Sequence, residues 1–153
     1  RHISLATPGG AEERTGWFHT GFATYLSWKT EGEVTGRSLE QTRKKMLGFY
    51  ARHFDPDNAM LFINLESREQ WEQAVRKDYK AIYAQAVVGF LHLSQQSNDD
   101  VGLTLLKIMN FPEPFDTAFE RSFGLSPGRF QQDIEEKLYP EVEKLREALT
   151  AGL

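Results

Sequence analysis

The four histidines of this chain are the first residues to test for metal or acid–base chemistry. They are His2, His19, His53 and His92, and no two of them have the i, i+4 spacing that places two imidazoles on one helix face for zinc. His92 falls in an apolar helical stretch, where a hydrogen-bonded core or rim residue is expected. His53 falls near a predicted helix end, where a partly charged imidazole favours the helix dipole. The sequence therefore predicts no metal site and no cofactor.

Other signatures of catalysis are also missing from the sequence. The chain has no G-x-S-x-G nucleophile elbow, no phosphate-binding P-loop and no G-x-G-x-x-G dinucleotide motif. It has no cysteine, which excludes disulfides, thiolate zinc sites and cysteine nucleophiles. Acidic pairs such as Glu135-Glu136 are adjacent in sequence, and neighbouring side chains on a helix diverge by about 100°. We therefore expect no complete catalytic site within this chain.

Length and composition indicate one globular domain. The chain has 153 residues, of which 40% are hydrophobic and 26% charged. Its net charge is −4 and no basic stripe is visible, so we expect no nucleic acid partner. The longest apolar run, residues 81–93, is interrupted by Gln85, Gly89 and His92 and is shorter than the roughly 20 residues that span a bilayer. We expect no membrane insertion, and cytoplasmic and exported locations both stay open.

The apolar periodicity predicts an all-α domain of six or seven helices. We expect a lead-in loop over 1–11, a core over 12–138 and a C-terminal helix extension over 139–153. The core helices are expected at about 12–29, 38–53, 67–96 with a break near 77–78, 98–109, 115–123 and 127–138. Residues 59–65 are predicted to form a strand fragment or a packed loop. The segment from Tyr79 to Leu93 is predicted to be the central, mostly buried helix.

Local signals define several of these boundaries. Ser38 with Gln41, and Ser67 with Gln70, are capping-box pairs at helix starts. Glycines 32 and 36 are expected to end the first helix. Gly124 is placed as a C-terminal cap, the Ser-Pro pair at 126–127 as a helix start, and Pro140 as a kink or restart in the last helix.

Residues 17–26 carry the most informative motif of the chain, WFHTGFATYL. This segment resembles the W-[LF]-x-E-G-[FL]-A-x-Y stretch of the gluzincin zinc metallopeptidases, the thermolysin-like group that includes many aminopeptidases. Trp17, Gly21, Ala23 and Tyr25 match the pattern. In that family the glutamate of this stretch is the third zinc ligand, and an upstream H-E-x-x-H helix supplies two histidine ligands and the catalytic glutamate.

The metal ligands of that family are missing here. Thr20 stands at the position of the ligand glutamate, and the chain contains no H-E-x-x-H. A threonine hydroxyl is a poor, neutral zinc ligand compared with a carboxylate. His19 lies one residue from the ligand position, which rotates it away on a helix. The resemblance therefore implies a degenerate metal site.

Two downstream segments resemble the same family. Residues 79–86, YKAIYAQA, are similar to its Y-x-[KQ]-G segment, which opens a buried helix. Tyr83 matches the tyrosine that stabilises the oxyanion of the tetrahedral intermediate in aminopeptidases, although Ala86 replaces the glycine. Residues 118–126, AFERSFGLS, are similar to its A-F-x-x-x-F-G-x-S pattern. The resemblance implies the helical C-terminal lobe of a peptidase, with His19, Thr20 and Tyr83 lining the former substrate cleft.

Residues 119–130, FERSFGLSPGRF, also resemble the end of an AraC-type DNA-binding domain. There, F-x-R-x-F-G-x-S-P links the recognition helix to the last helix. That family needs a basic surface and a second helix-turn-helix upstream. Here the preceding residues, NFPEP, contain two prolines that disrupt a recognition helix, and the chain is acidic.

We interpret the chain as a non-catalytic, peptidase-like helical domain that binds polypeptide or packs against another lobe of a longer protein. The alternative is the C-terminal part of an active zinc metallopeptidase whose H-E-x-x-H helix lies outside this chain. In that case zinc is the cofactor and Tyr83 stabilises the oxyanion. AraC-like DNA binding is the third hypothesis.

Overall fold

The computed structural model describes residues 16–96 and 114–152, and these residues form an all-α fold. The predicted fold class is confirmed. The predicted lead-in loop over 1–11 and the predicted helix over 98–109 lie outside the described residues. The elements are α1 (Gly16–Val34), α2 (Leu39–Ala51), 3-10 turns at Pro56–Asn58 and Phe62–Leu65, α3 (Arg68–Lys77), α4 (Tyr79–Gln96), α5 (Phe115–Phe123), α6 (Pro127–Asp133), a π-helical turn (Ile134–Leu138) and α7 (Tyr139–Ala151).

Helix α1 continues through Gly32, where the sequence predicted a break. A glycine inside a helix costs about 1 kcal/mol relative to alanine. Gly32 is buried, and a Cβ atom there would collide with the side-chain oxygen of Thr42 on α2. The close approach of α1 and α2 therefore explains this glycine. The chain turns only at Gly36, which has a left-handed φ of 77°.

The capping boxes at the starts of α2 and α3 are confirmed. The side chain of Ser38 accepts a hydrogen bond from the amide of Gln41, and the Gln41 side chain accepts one from the amide of Ser38. Ser67 and Gln70 repeat this arrangement at α3. Both predictions succeeded because a cap depends on side chains within one turn of the helix.

The segment before α3 contains no strand, so the strand alternative for residues 59–65 was wrong. Residues 62–65 form a 3-10 turn that buries Phe62 and Leu65 in the core. The backbone amide of Phe62 donates to the side-chain oxygen of Gln131 at 2.9 Å. Because a side chain from a distant helix satisfies this amide, the segment needs no strand partner.

Helices α3 and α4 are separated at Asp78, as the sequence predicted. Asp78 has a non-helical backbone (φ −152°, ψ 83°), and its carboxylate accepts from the amide of Ala81 at 3.2 Å. Every residue from Ala84 to Leu91 is buried. Helix α4 is therefore the central helix of the described fold, as expected.

The last two helices are joined by a π-helical turn that precedes Pro140. Gly124 caps α5 with a φ of 76°, and Ser126 caps α6 through the amide of Arg129, both as predicted. Proline has no amide hydrogen, and its ring clashes with the carbonyl four residues earlier in a regular α-helix. The wider turn over 134–138 relieves this conflict, and α7 restarts at Tyr139. Tyr139 and Val142 are buried, so the start of the predicted extension packs into the core.

An aromatic core holds these helices together. We use this name for Trp17, Phe18, Phe62, Phe90 and Phe130, each of which is at most 3% exposed. The indole of Trp17 stacks on Phe130 at a centroid distance of 5.6 Å and meets Phe62 edge-on at 4.6 Å. Phe18 meets Phe90 edge-on at 5.4 Å. Together these contacts link α1, α4, α6 and the 3-10 turn before α3.

Candidate functional site

The segments of α1 and α4 that carry the predicted site residues pack directly against each other. Gly21, the residue after Thr20, lies against Ala86 and Phe90 of α4. A Cβ atom at Gly21 would sit 2.6 Å from the Cβ of Phe90 and 2.8 Å from the carbonyl oxygen of Ala86. Tyr83 lies one helical turn before Ala86 on the same helix. The fold therefore brings the motif around Thr20 and the motif around Tyr83 together.

The start of α1 also reaches the surroundings of Tyr83 through Trp71. A Cβ atom at Gly16 would lie 2.7 Å from the Cβ of Trp71, and the indole of Trp71 is 5.6 Å from the ring of Tyr83. Thr20 lies one turn beyond Gly16, on the same side of α1. His19, Thr20 and Tyr83 are all partly buried. That Thr20 and the Tyr83 hydroxyl open into one cleft stays a prediction.

Tyr83 belongs to a row of three aromatic rings, which we call the aromatic ladder: Trp71, Tyr83 and Tyr79. The rings of Tyr79 and Tyr83 are 4.5 Å apart with an interplanar angle of 40°, and those of Trp71 and Tyr83 are 5.6 Å apart at 49°. Trp71 and Tyr83 are half-buried, and Tyr79 is 59% exposed. The ladder thus presents aromatic surface to solvent, and its rings are carried by helices α3 and α4, which pack against each other.

The described residues contain no group of three or more metal-ligating side chains placed to hold an ion. Thr20 offers only a neutral hydroxyl at the position where the family pattern has a carboxylate. What the surface around Tyr83 offers is apolar contact from the rings and hydrogen bonding from the tyrosine hydroxyls.

His92 is held in an ion-pair network, which agrees with its interpretation as a satisfied rim residue. Its Nε2 lies 2.8 Å from one carboxylate oxygen of Asp133, and Lys137 lies 2.8 Å from the other oxygen. The side chains of His92 and Asp133 are 12% and 9% exposed. This network connects α4 to the end of α6 through Asp133 and includes Lys137 of the π-helical turn. His53 is exposed, and its ring lies 6.3 Å from that of Phe49.

Gln85, two residues after Tyr83, fixes the loop beneath α4. Its side-chain oxygen accepts from the amide of Met60 at 3.1 Å, and its nitrogen donates to the carbonyl oxygen of Met60. The same nitrogen lies 3.4 Å from the hydroxyl of Tyr139. Burial raises the pKa of Tyr139 well above its usual range, and the Gln85 hydrogen bond acts in the opposite direction. This polar contact therefore ties α4, the helix that carries Tyr83, to the loop at Met60.

A second group of aromatic rings lies at the far end of α1 and on α2. Trp28 is 5.6 Å from Phe49 and 6.2 Å from Tyr50, and Phe49 is 5.0 Å from Tyr50. Phe49 is 51% exposed. We call these three residues the α1–α2 aromatic surface. Leu39 at the start of α2 and Tyr79 at the start of α4 are exposed as well.

The sequence analysis singled out Tyr83 but not Trp71 or Tyr79, whose rings lie beside it. Trp71 and Tyr79 each lie three positions before a buried residue, Ala74 and Ile82, so helical spacing alone does not distinguish them from core residues. Tyr79 is the first residue after the break at Asp78, but a position at a helix start does not indicate exposure by itself. Phe115 and Tyr139 also begin helices, and both are buried.

The chain matches no known protein-family model, no curated protein and no solved structure. None of the helices in the described part of the chain is long and apolar enough to cross a membrane.

Proposed function

We propose that this domain is a non-catalytic, peptidase-like module that binds a segment of polypeptide on its aromatic ladder. The observation that carries this proposal is the ladder itself, a row of three rings that ends in the 59% exposed Tyr79. Tyrosine and tryptophan are enriched among the residues that dominate binding energy at protein interfaces. Their rings give a large contact area, and their polar groups bond to peptide backbone.

The position of the ladder supports a polypeptide as the ligand. Tyr83 belongs to the ladder, and the segment of α1 that carries Thr20 packs against the same helix α4. These two residues resemble those that flank a peptidase substrate cleft. A threonine in place of the zinc-binding carboxylate removes the strongest metal ligand, but it leaves a surface that can bind a polypeptide. Under this proposal, Tyr83 contributes a ring face and a hydroxyl to binding rather than oxyanion stabilisation.

The rigid base of the ladder also favours binding. Asp78 caps the start of α4, Gln85 ties the same helix to the loop at Met60, and Gly16 packs closely on Trp71. Rings that are already held in place lose little conformational freedom when a ligand arrives, so more of the contact energy becomes affinity.

The proposal is tested with peptides selected from a random display library on the immobilised domain. Their Kd values are then measured by fluorescence anisotropy. The double substitution Tyr79→Ala/Tyr83→Ala is expected to weaken binding by about 30-fold, because truncating central aromatic contacts costs about 2 kcal/mol or more. The matched control is Phe49→Ala/Tyr50→Ala, which removes another adjacent aromatic pair and should leave Kd within about twofold.

Two results contradict the proposal. One is that no peptide is selected against the folded domain. The other is that selected peptides bind the ladder variant as tightly as the unmodified domain. The non-catalytic part is tested separately by metal analysis after dialysis, in which close to one zinc per chain would contradict it.

A second candidate function, packing against another lobe of a longer protein, is favoured by the α1–α2 aromatic surface. Phe49 is 51% exposed there, and its ring lies against those of Trp28 and Tyr50, which are half-buried. Exposed apolar side chains of this kind are typical of surfaces that another protein body covers. If the selected peptides lose affinity only for the Phe49→Ala/Tyr50→Ala variant, this second surface is the binding site.

A further inference from the structure

A groove of about 250 Å³ lies between α2, α4 and the start of α7, apart from the aromatic ladder. Its α4 residues, Leu91, His92 and Gln95, lie beyond Tyr83 by roughly 12–18 Å along the helix, at about 1.5 Å per residue. We call it the three-helix groove. Ligand pockets for drug-sized molecules are usually about 300–1,000 Å³, so this groove fits a smaller molecule.

One part of the groove is apolar. Three leucines from three different elements line it: Leu47 of α2, Leu91 of α4 and Leu138 of the π-helical turn. Leu91 is 3% exposed and Leu138 is 5% exposed, so these two walls belong to the packed core. The half-buried Leu47 therefore presents most of the apolar surface, and an aliphatic side chain matches it in polarity.

The rim of the groove carries two cations and two anions. Arg43 and Lys44 lie on α2 beside Glu40, and Glu141 lies on α7. Among the described residues, none of these four side chains forms an ion pair with another. Their formal charges cancel, yet opposite charges face the same space without bonding to each other. This arrangement is complementary to a ligand that carries both charges.

Arg43 is the most constrained of these four groups. Its Nη2 donates to the carbonyl oxygen of Ser94 at 3.1 Å, which fixes the guanidinium at the end of α4. Its Nε is buried and offers no surface to the groove, so a ligand meets the guanidinium group through its terminal nitrogens. Guanidinium groups bind carboxylates through paired donors, and a carboxylate is therefore the acceptor that suits Arg43 best.

His92, also in the groove wall, does not upset this balance. Its imidazole is bound to Asp133, whose second oxygen is bound to Lys137. The Nε2 of His92 is therefore already engaged by Asp133, and the four rim charges are the groups left to meet a ligand.

We propose that the three-helix groove binds a free aliphatic amino acid of the size of leucine. The carboxylate is held by Arg43 and Lys44, the ammonium group by Glu40 and Glu141, and the side chain by the three leucines. A zwitterion satisfies both pairs of charges at once, whereas a simple acid or amine satisfies one pair and leaves the other unbonded. This site is separate from the aromatic ladder and does not depend on polypeptide binding there.

The test is a titration of the ¹⁵N-labelled domain, followed by two-dimensional NMR, up to about 20 mM ligand, a range that detects Kd values near 1 mM. L-Leucine is compared with 4-methylpentanoate, which lacks the ammonium group, and with 3-methylbutylamine, which lacks the carboxylate. Leucine is expected to shift the amide signals of residues 40–47, 91–95 and 138–141 and to saturate. Each of the two analogues is expected to bind at least about fivefold more weakly, the loss of a partly exposed charge pair.

Substitutions then test the rim directly. Glu141→Gln and Lys44→Gln change exposed side chains and are not expected to disturb folding. Each should weaken leucine binding by about fivefold. The matched control is Glu143→Gln, which changes an exposed charge on the same helix α7 but outside the groove, and it should leave binding unchanged.

The proposal is overturned if leucine shifts none of the groove signals, or if it shifts them without saturation. It is also overturned if 4-methylpentanoate binds as tightly as leucine, since the groove would then be a simple carboxylate site. Equal effects of Glu141→Gln and Glu143→Gln would show that the rim charges do not hold the ligand.

Discussion

The aromatic core and the aromatic ladder are built from the same kinds of residue at similar ring distances, yet only the core is covered. Trp17 and Phe62 are 4.6 Å apart and almost fully buried. Tyr79 and Tyr83 are 4.5 Å apart, and Tyr79 is 59% exposed. Ring contacts alone therefore do not separate a structural cluster from a binding surface. What separates them is whether other elements cover the rings.

The residue types differ in a way that agrees with this division. The core uses phenylalanine and one tryptophan, whereas two of the three ladder residues are tyrosines, whose hydroxyls can stay in contact with water. The core should therefore determine stability, and the ladder should determine binding with little effect on stability.

Truncation of the core is expected to have the largest effect. Phe90 is fully buried and its ring contacts those of Phe18, Phe22 and Tyr25. Phe90→Ala should lower the free energy of unfolding by about 3–5 kcal/mol, because it removes a large apolar side chain and leaves a cavity. Chemical denaturation followed by circular dichroism measures this change, and a loss below about 0.5 kcal/mol would show that the core is assigned wrongly.

The close contact of α1 and α4 should give the next largest effect. Gly21→Ala adds a Cβ atom 2.8 Å from the carbonyl oxygen of Ala86, and a backbone atom cannot move away cheaply. We expect a loss of about 1–3 kcal/mol in the free energy of unfolding. Gly48→Ala is the matched control, because nothing lies within 4 Å of its added Cβ atom. That substitution should stabilise α2 by about 0.5–1 kcal/mol, and destabilisation by both would argue against a specific α1–α4 contact.

Alkaline pH should act on the buried Tyr139. Its pKa is raised in the folded protein by burial, whereas an unfolded tyrosine ionises near pH 10. Above about pH 10 the unfolded chain releases this proton while the folded protein keeps it, so stability falls by up to about 1.4 kcal/mol per pH unit. In Tyr139→Phe this part of the decline should disappear. Urea titrations between about pH 8 and 11 measure it, with Tyr79→Phe as the control for the loss of one tyrosine. An unchanged slope in Tyr139→Phe would contradict the account.

Truncation of the ladder should have the smallest effect on stability. Tyr79 is mostly exposed, and in the described part of the chain its ring contacts only that of Tyr83. Tyr79→Ala is expected to change the free energy of unfolding by less than about 0.5 kcal/mol. The same denaturation experiment measures this value beside that of Phe90→Ala. A loss of 2 kcal/mol or more, on the scale of a core truncation, would mean that the ladder is part of the core.

The features that the sequence predicted correctly depend on residues close together in the chain. The caps at Ser38, Ser67, Gly124 and Ser126 and the break at Asp78 each require contacts within about one helical turn. The apolar run in α4 was long enough to identify the central helix. Local patterns therefore predicted the all-α class and most boundaries.

The features that the sequence missed depend on contacts across long separations. Gly32 continues a helix because it packs on Thr42, and residues 62–65 form a 3-10 turn whose amide is bonded by Gln131. The partner of His92 is Asp133, 41 positions away. The exposure of Tyr79 likewise depends on how the other helices pack around α4. Such facts follow from the assembled fold and are not visible in a local pattern.

The most direct test of the proposed function is the position of a selected peptide on the domain. Intermolecular nuclear Overhauser effects between the labelled domain and its best peptide would show which rings the peptide touches. We predict contacts to the rings of Trp71, Tyr83 and Tyr79, with the rings of the aromatic core unchanged. Contacts confined to the α1–α2 aromatic surface at Trp28 and Phe49 would contradict the central claim.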